Sequence, residues 1–144
     1  MELLESTNEY LQPFINLKGL LENKVDQQSK DDFITFVRMM APMLVSDWRM
    51  GKHIEVISDK LQEIQDGDLK RLMVFLPPRS SKSVICSKLF PAWYIGQNPN
   101  HEILTVSHSD QLSSDFGRSV RDVVNTEEFS KIFKGVSLRS DVRA

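Results

Sequence analysis

With 144 residues and a 40% hydrophobic composition, the chain carries enough apolar side chains for one globular domain with a core, and a net charge of −2 excludes a protein that coats nucleic acid through bulk charge. A single cysteine, Cys86, excludes an intrachain disulfide and a cysteine-based zinc site, which fits a reducing compartment. The first residues lack a basic leader region, and no run reaches the roughly 18 apolar residues of a membrane span, so the expectation is a soluble, cytoplasmic protein that is not secreted and has no membrane partner.

Residues 2–24 read as a helix with Leu3, Leu4, Leu11, Phe14, Leu17, Leu20 and Leu21 near one face and a break at Pro13. The polar stretch 24–30 reads as a linker. Ser29 with Asp32 resembles a capping box for a helix over about 30–45 that buries Phe33, Phe36, Val37 and Met40. A third helix is expected from Lys52 to Ile64, where Ile54, Ile57, Leu61 and Ile64 recur at helical spacing, and Asp66-Gly67-Asp68 stops it. His53 at its start either touches a nucleotide base or a neighbouring loop, or is a plain surface or capping residue.

Arg71 to Leu76 is a near-continuous apolar run, typical of a parallel strand covered on both faces. After a Pro/Ser turn a helix opens on Lys82-Ser83 and carries Val84, Ile85, Leu89 and Phe90 inward, with Pro91 kinking or ending it and Trp93, Tyr94 and Ile95 extending its apolar face into core. Beyond the Asn98-Pro99-Asn100 turn, residues 102–107 read as a second strand, completing a right-handed βαβ unit. A helix from Asp110 to about Val124 presents Leu112, Phe116, Val120 and Val123, and Thr126 caps a last short helix that buries Phe129, Ile132 and Phe133.

Strand, polar turn and a helix beginning Lys-Ser form the context of a phosphate-binding loop. The first turn of a helix has free N–H groups and the positive end of the macrodipole, so backbone holds most of a polyphosphate placed there. In that geometry Pro78, Arg79, Ser80, Ser81, Lys82 and Ser83 surround ATP: Lys82 reaches the β- and γ-phosphates, Arg79 adds a second cation, and Ser83 ligates Mg²⁺. Counting back from Lys82 in G-x-x-x-x-G-K-[ST], the two glycine positions hold Leu76 and Ser81, where glycine normally supplies positive φ and close backbone approach. The competing reading is a Pro-Pro turn with Ser80 or Ser81 merely capping the next helix. Residues 1–70 carry 8 basic and 13 acidic groups and residues 71–144 carry 10 and 7, so a small positive surplus lies with the loop.

Three ordered blocks carry a resemblance: Leu-Pro-Pro-Arg-Ser-Ser-Lys-Ser at 76–83, Phe-Pro-Ala-Trp-Tyr-Ile-Gly-Gln-Asn-Pro at 90–99, and Ser-His-Ser-Asp-Gln-Leu-Ser-Ser-Asp-Phe-Gly-Arg-Ser-Val-Arg-Asp at 107–122. Over residues 50–140 the chain resembles the N-terminal part of the large terminase subunit of tailed bacteriophages. The resemblance implies an ATPase motor that drives double-stranded DNA into a capsid, works as a homo-oligomeric ring at the portal protein with a small terminase subunit, and acts in the cytoplasm of the infected host. Its loop is a deviant Walker A that usually keeps a glycine where this chain has Ser81. The block around Ser107 and Ser109 resembles the motif through which related motors touch DNA or couple to nucleotide. Arg118 and Arg121 match arginines of the family block, and two readings stand for them: facing a neighbouring subunit's phosphate as an arginine finger does or, favoured for Arg118 at helical spacing from Asp115 and Asp122, a plain surface ion pair.

The resulting expectation is an α/β protein with a partial P-loop NTPase-type parallel sheet, with an N-terminal helical region over 1–68 and the first half of an ATPase domain over 69–144. No apolar strand ending in paired carboxylates follows Val106, so the chain reads as the front of a larger domain that binds nucleotide without turning it over. A short, non-enzymatic binding or decoy module acting on a packaging motor or portal stays open beside it. A generic P-loop helicase or nucleotide kinase is the weaker alternative.

Overall fold

Two consecutive helices meet at Asp32, and the rest of the molecule is built onto that corner. In the computed structural model, which describes residues 2–138 without the side chains of 2–11 and 13–15, α1 (Glu2–Asp31) runs unbroken past Pro13 and through the expected linker. Local pairs support its C-terminal half: Lys18 with Glu22 at 3.8 Å, and the Gln27 amide donating to Asp31 at 2.8 Å. Leu17, Leu20 and Leu21 of the expected apolar face are exposed, while Leu3, Leu4, Leu11 and Phe14 lie outside the described side chains.

α2 (Phe33–Leu44) is capped by Asp32, whose carboxylate accepts from the Thr35 amide at 3.1 Å. Ser29 does not form the expected capping box; it is buried inside the last turn of α1. α3 (Lys52–Asp66) stops at Gly67, which takes a left-handed φ of 86°. Its Gln62 oxygen accepts from the Phe33 amide at 3.0 Å, so α3 satisfies an orphan donor in the first turn of α2.

A helical run then begins at Lys82, widens into a π-helical segment over Val84–Leu89 and continues as α4 (Phe90–Gln97). The Phe90 amide reaches back to the Ile85 carbonyl one residue before Pro91, and the wider turn lets the helix pass through a residue with no N–H to donate. Pro91 therefore neither ends the helix nor leaves the core, where it is buried. Trp93, fully buried, donates its indole N–H to the Ser29 and Lys30 carbonyls at 3.1 Å each, and the Gln97 amide also donates to Lys30. These donors cap the C-terminal carbonyls of α1 from a distant part of the sequence. α5 (Asp110–Val124) and α6 (Glu127–Ile132) close the fold as expected, with Ser109 and Thr126 as N-caps.

One core joins Phe33, Phe36, Met40, Ile54, Leu61, Ile85, Leu89, Trp93, Val123, Phe129 and Phe133. Aromatic contacts order it, with Phe33 and Trp93 centroids 5.2 Å apart and Phe129 and Phe133 4.8 Å apart.

The expected α/β fold with a P-loop NTPase-type parallel sheet is not what the chain forms: the described residues are helical or irregular, with no strand and no βαβ unit. Residues 71–77 are extended and alternate as a strand would, Leu72, Val74 and Leu76 packing on the core while Met73 and Phe75 are 78% and 81% exposed. Residues 101–107 have no regular secondary structure, with Leu104 and Val106 exposed. The apolar run at 71–76 is expected to be covered on both faces, but helices cover only one, and among the described residues neither segment finds a ladder partner for its backbone.

Candidate phosphate-binding loop

The loop between the extended segment and the π-helical run encloses a concavity of about 410 Å³ lined by Leu76 through Val84. Its backbone alternates. Arg79 and Ser81 take left-handed φ values of 62° and 60°, the only non-glycine positive values among the described residues, and Ser80 between them does not. An L-residue held there costs about 1 to 3 kcal/mol, so surrounding contacts must impose the conformation. Ser81 occupies the position at which a phosphate-binding loop uses glycine, and it adopts the backbone that the glycine would supply.

Three carbonyls of the loop are tied back. Ser80 Oγ donates to the Pro77 carbonyl at 2.7 Å, the Ile85 amide donates to the Ser81 carbonyl at 3.1 Å, and His53 Nε2 lies 3.3 Å from the Ser80 carbonyl. Among the described residues no hydrogen bond takes the amides of Arg79 or Ser81 as donor, while the Ser80 amide closes the turn at Pro78-Arg79 toward the Pro77 carbonyl. Where successive residues alternate between right- and left-handed backbone, their N–H groups converge in a nest, which suits an anion. Lys82 and Ser83 follow directly, in the first turn of the helical run.

Lys82 is half-buried and lies close enough to Cys86 to act on it: burial pushes the Cys86 thiol up, and the Lys82 ammonium works against that. Arg79 and Ser83 are exposed at the rim. Pro78, Arg79, Ser80, Ser81, Lys82 and Ser83 are thus brought together around one concavity. Ser83 has no carboxylate cluster to share a metal with, since the described residues contain no group of three His, Cys, Asp or Glu side chains placed to hold an ion.

The other candidates stand apart from the loop's lining. Ser107 Oγ donates to the Ser109 carbonyl at 2.6 Å and accepts from the Ser109 amide at 3.2 Å, while Ser109 Oγ accepts from the Leu112 amide at 3.3 Å. Both hydroxyls build the start of α5. Arg118 pairs with Asp115 at 3.0 Å on an exposed face, as its spacing predicts, and Arg121 lines a separate cavity with Ile95, Val120 and Val124. His53 was the residue whose role spacing could not assign: it touches the loop, not through charge but through the Ser80 carbonyl.

No helix of the described residues is long and apolar enough to cross a membrane. Comparison with protein-family models, with curated proteins and with solved structures found no match.

Proposed function

We propose that this chain is part of the ATPase of a viral DNA-packaging motor, and that ATP·Mg²⁺ binds at the 77–83 loop. The observation that carries the reading is the left-handed backbone of Arg79 and Ser81 immediately before Lys82 and Ser83, because a chain bears such strain only where something else gains from it. The amides of the nest and Lys82 bind the β- and γ-phosphates, Arg79 lies at the open rim as a second cation, and Ser83 supplies an oxygen to Mg²⁺. The resemblance of the three sequence blocks to large terminase subunits supplies the rest: hydrolysis coupled to translocation of double-stranded DNA, a homo-oligomeric ring, the portal protein and a small terminase subunit as partners, and action in the host cytoplasm.

Thermal stabilisation by a non-hydrolysable ATP analogue with Mg²⁺ tests the site. The parent chain gains stability in proportion to ligand, and Lys82→Ala gains none. Equal gains in the two would remove the reading. A second reading, a non-enzymatic module that docks on a packaging motor or portal, draws on Met73, Phe75, Leu104 and Val106, whose exposure offers apolar contact area. Steady-state phosphate release separates enzyme from binder: release by residues 1–144 at the level of Lys82→Ala means that this stretch binds without turnover.

A further inference from the structure

The strain at Ser81 has an obvious way out. Rotating the peptide plane between Ser80 and Ser81 by about half a turn would carry Ser81 from φ 60° into the ordinary negative region. The same rotation would turn the Ser80 carbonyl into the concavity and the Ser81 amide out of it, replacing a donor with an acceptor where an anion must sit. Something holds that peptide, and among the described residues only the His53 ring bonds the Ser80 carbonyl.

We infer that His53 is the positioning residue of the loop: by donating from Nε2 to the Ser80 carbonyl it keeps the 80–81 peptide outward, Ser81 left-handed and the nest open to phosphate. This inference rests on the phosphate-binding reading for its consequence, but not for the conformation itself. A second observation supports it independently. Gly51, the residue that starts α3, leaves room for the ring: a Cβ built there would lie 2.7 Å from His53 Cε1 and 2.8 Å from Nδ1. Gly51 has φ −109°, which any residue adopts, so space for the imidazole rather than backbone freedom is what glycine provides at this position. His53 needs the tautomer protonated on Nε2 for this bond, and a glutamine at 53 presents an amide N–H at similar reach.

The test has two arms on the same proteins. Backbone NMR of Ser81, through its three-bond amide-to-Hα coupling and its Cα and Cβ shifts, reads the sign of φ. The parent and His53→Gln should show the left-handed signature; His53→Ala and Gly51→Ala should lose it. Titration with Mg²⁺-tripolyphosphate reads the consequence: affinity falls about fivefold to tenfold in His53→Ala and Gly51→Ala, the size of one neutral hydrogen bond, and His53→Gln recovers most of it. In a Ser81→Gly background the His53→Ala loss shrinks to about twofold or less, because glycine has no strain to escape, and that non-additivity is something a merely structural histidine would not produce. A left-handed Ser81 that persists in His53→Ala, or a Ser81 already at negative φ in the parent, overturns the inference. A parent that keeps the left-handed Ser81 but does not bind tripolyphosphate sinks the phosphate-binding reading instead, and leaves the NMR arm to decide His53.

Discussion

The helical core and the open edge of this molecule both carry large apolar side chains, yet one closes on itself and the other does not. Phe33, Phe36, Trp93 and Phe129 are fully buried, whereas Met73, Phe75, Leu104 and Val106, on segments without regular secondary structure, face solvent. The difference lies in the period. A helix satisfies its own backbone and needs neighbours only along one stripe, so among the described residues α2 through α6 and the π-helical segment assemble around a shared core. An extended segment needs partners for its backbone as well as its side chains, and helices supply only the second. The 77–83 loop lies where these regimes join, with one end on the core through Ile85 and the other on a segment held by alternate side chains.

Side-chain truncation should cost very different amounts in the two regions. Phe36→Ala should lower unfolding free energy by about 3 to 5 kcal/mol, while Phe75→Ser, at a residue 81% exposed, should change it by less than about 0.5 kcal/mol. Urea denaturation of both variants checks the contrast. A costly Phe75→Ser would mean that the edge is covered in solution.

A smaller effect tests how tightly the closed region is packed. A Cβ on Gly96 would lie 2.6 Å from the Phe133 ring, so Gly96→Ala should cost about 1 to 3 kcal/mol through overpacking, even though alanine is the better helix former. A neutral or stabilising result would show that Phe133 moves freely, and that the core is looser than the aromatic contacts imply.

At the junction the sign reverses. Ser81→Gly should stabilise the fold by about 1 kcal/mol, because it releases a β-carbon from a left-handed φ, and should tighten nucleotide binding. Weaker binding on this substitution would mean that the Ser81 side chain makes a contact of its own with the ligand. The smallest effect is expected at Arg118→Ala, where an exposed pair at 3.0 Å from Asp115 contributes about 0.5 kcal/mol or less. A thermal shift well beyond that would assign Arg118 more than a surface pairing.

Much of this was legible in the residues themselves. The 3- and 4-residue recurrence of Ile54, Ile57, Leu61 and Ile64 located α3, and Thr126 before Glu127 and Glu128 located α6 with its buried Phe129, Ile132 and Phe133. Helix boundaries failed where a distant side chain decided them: nothing local to residues 24–30 shows that Trp93 and Gln97 will cap that turn of α1. The sheet failed because period-2 patterning reports which side chains face a surface, not whether a second strand is there to pair, and Leu72, Val74 and Leu76 satisfy the pattern by packing on helices. Of the candidate site, the order of residues 77–83 was readable and the positive φ at Ser81 followed from the glycine position it fills. The His53 contact joins residues 27 positions apart through a backbone carbonyl, which no motif records.

Whether free amides of the 77–83 loop receive phosphate is read residue by residue in an NMR titration of the labelled chain with Mg²⁺ and a non-hydrolysable ATP analogue. The amides of Arg79, Ser80, Ser81, Lys82 and Ser83 should show the largest saturable shifts, and Lys82→Ala should abolish them while leaving the spectrum of the helical core unchanged. Shifts that are absent from the loop, or that persist in Lys82→Ala at the same ligand concentration, would contradict phosphate binding there.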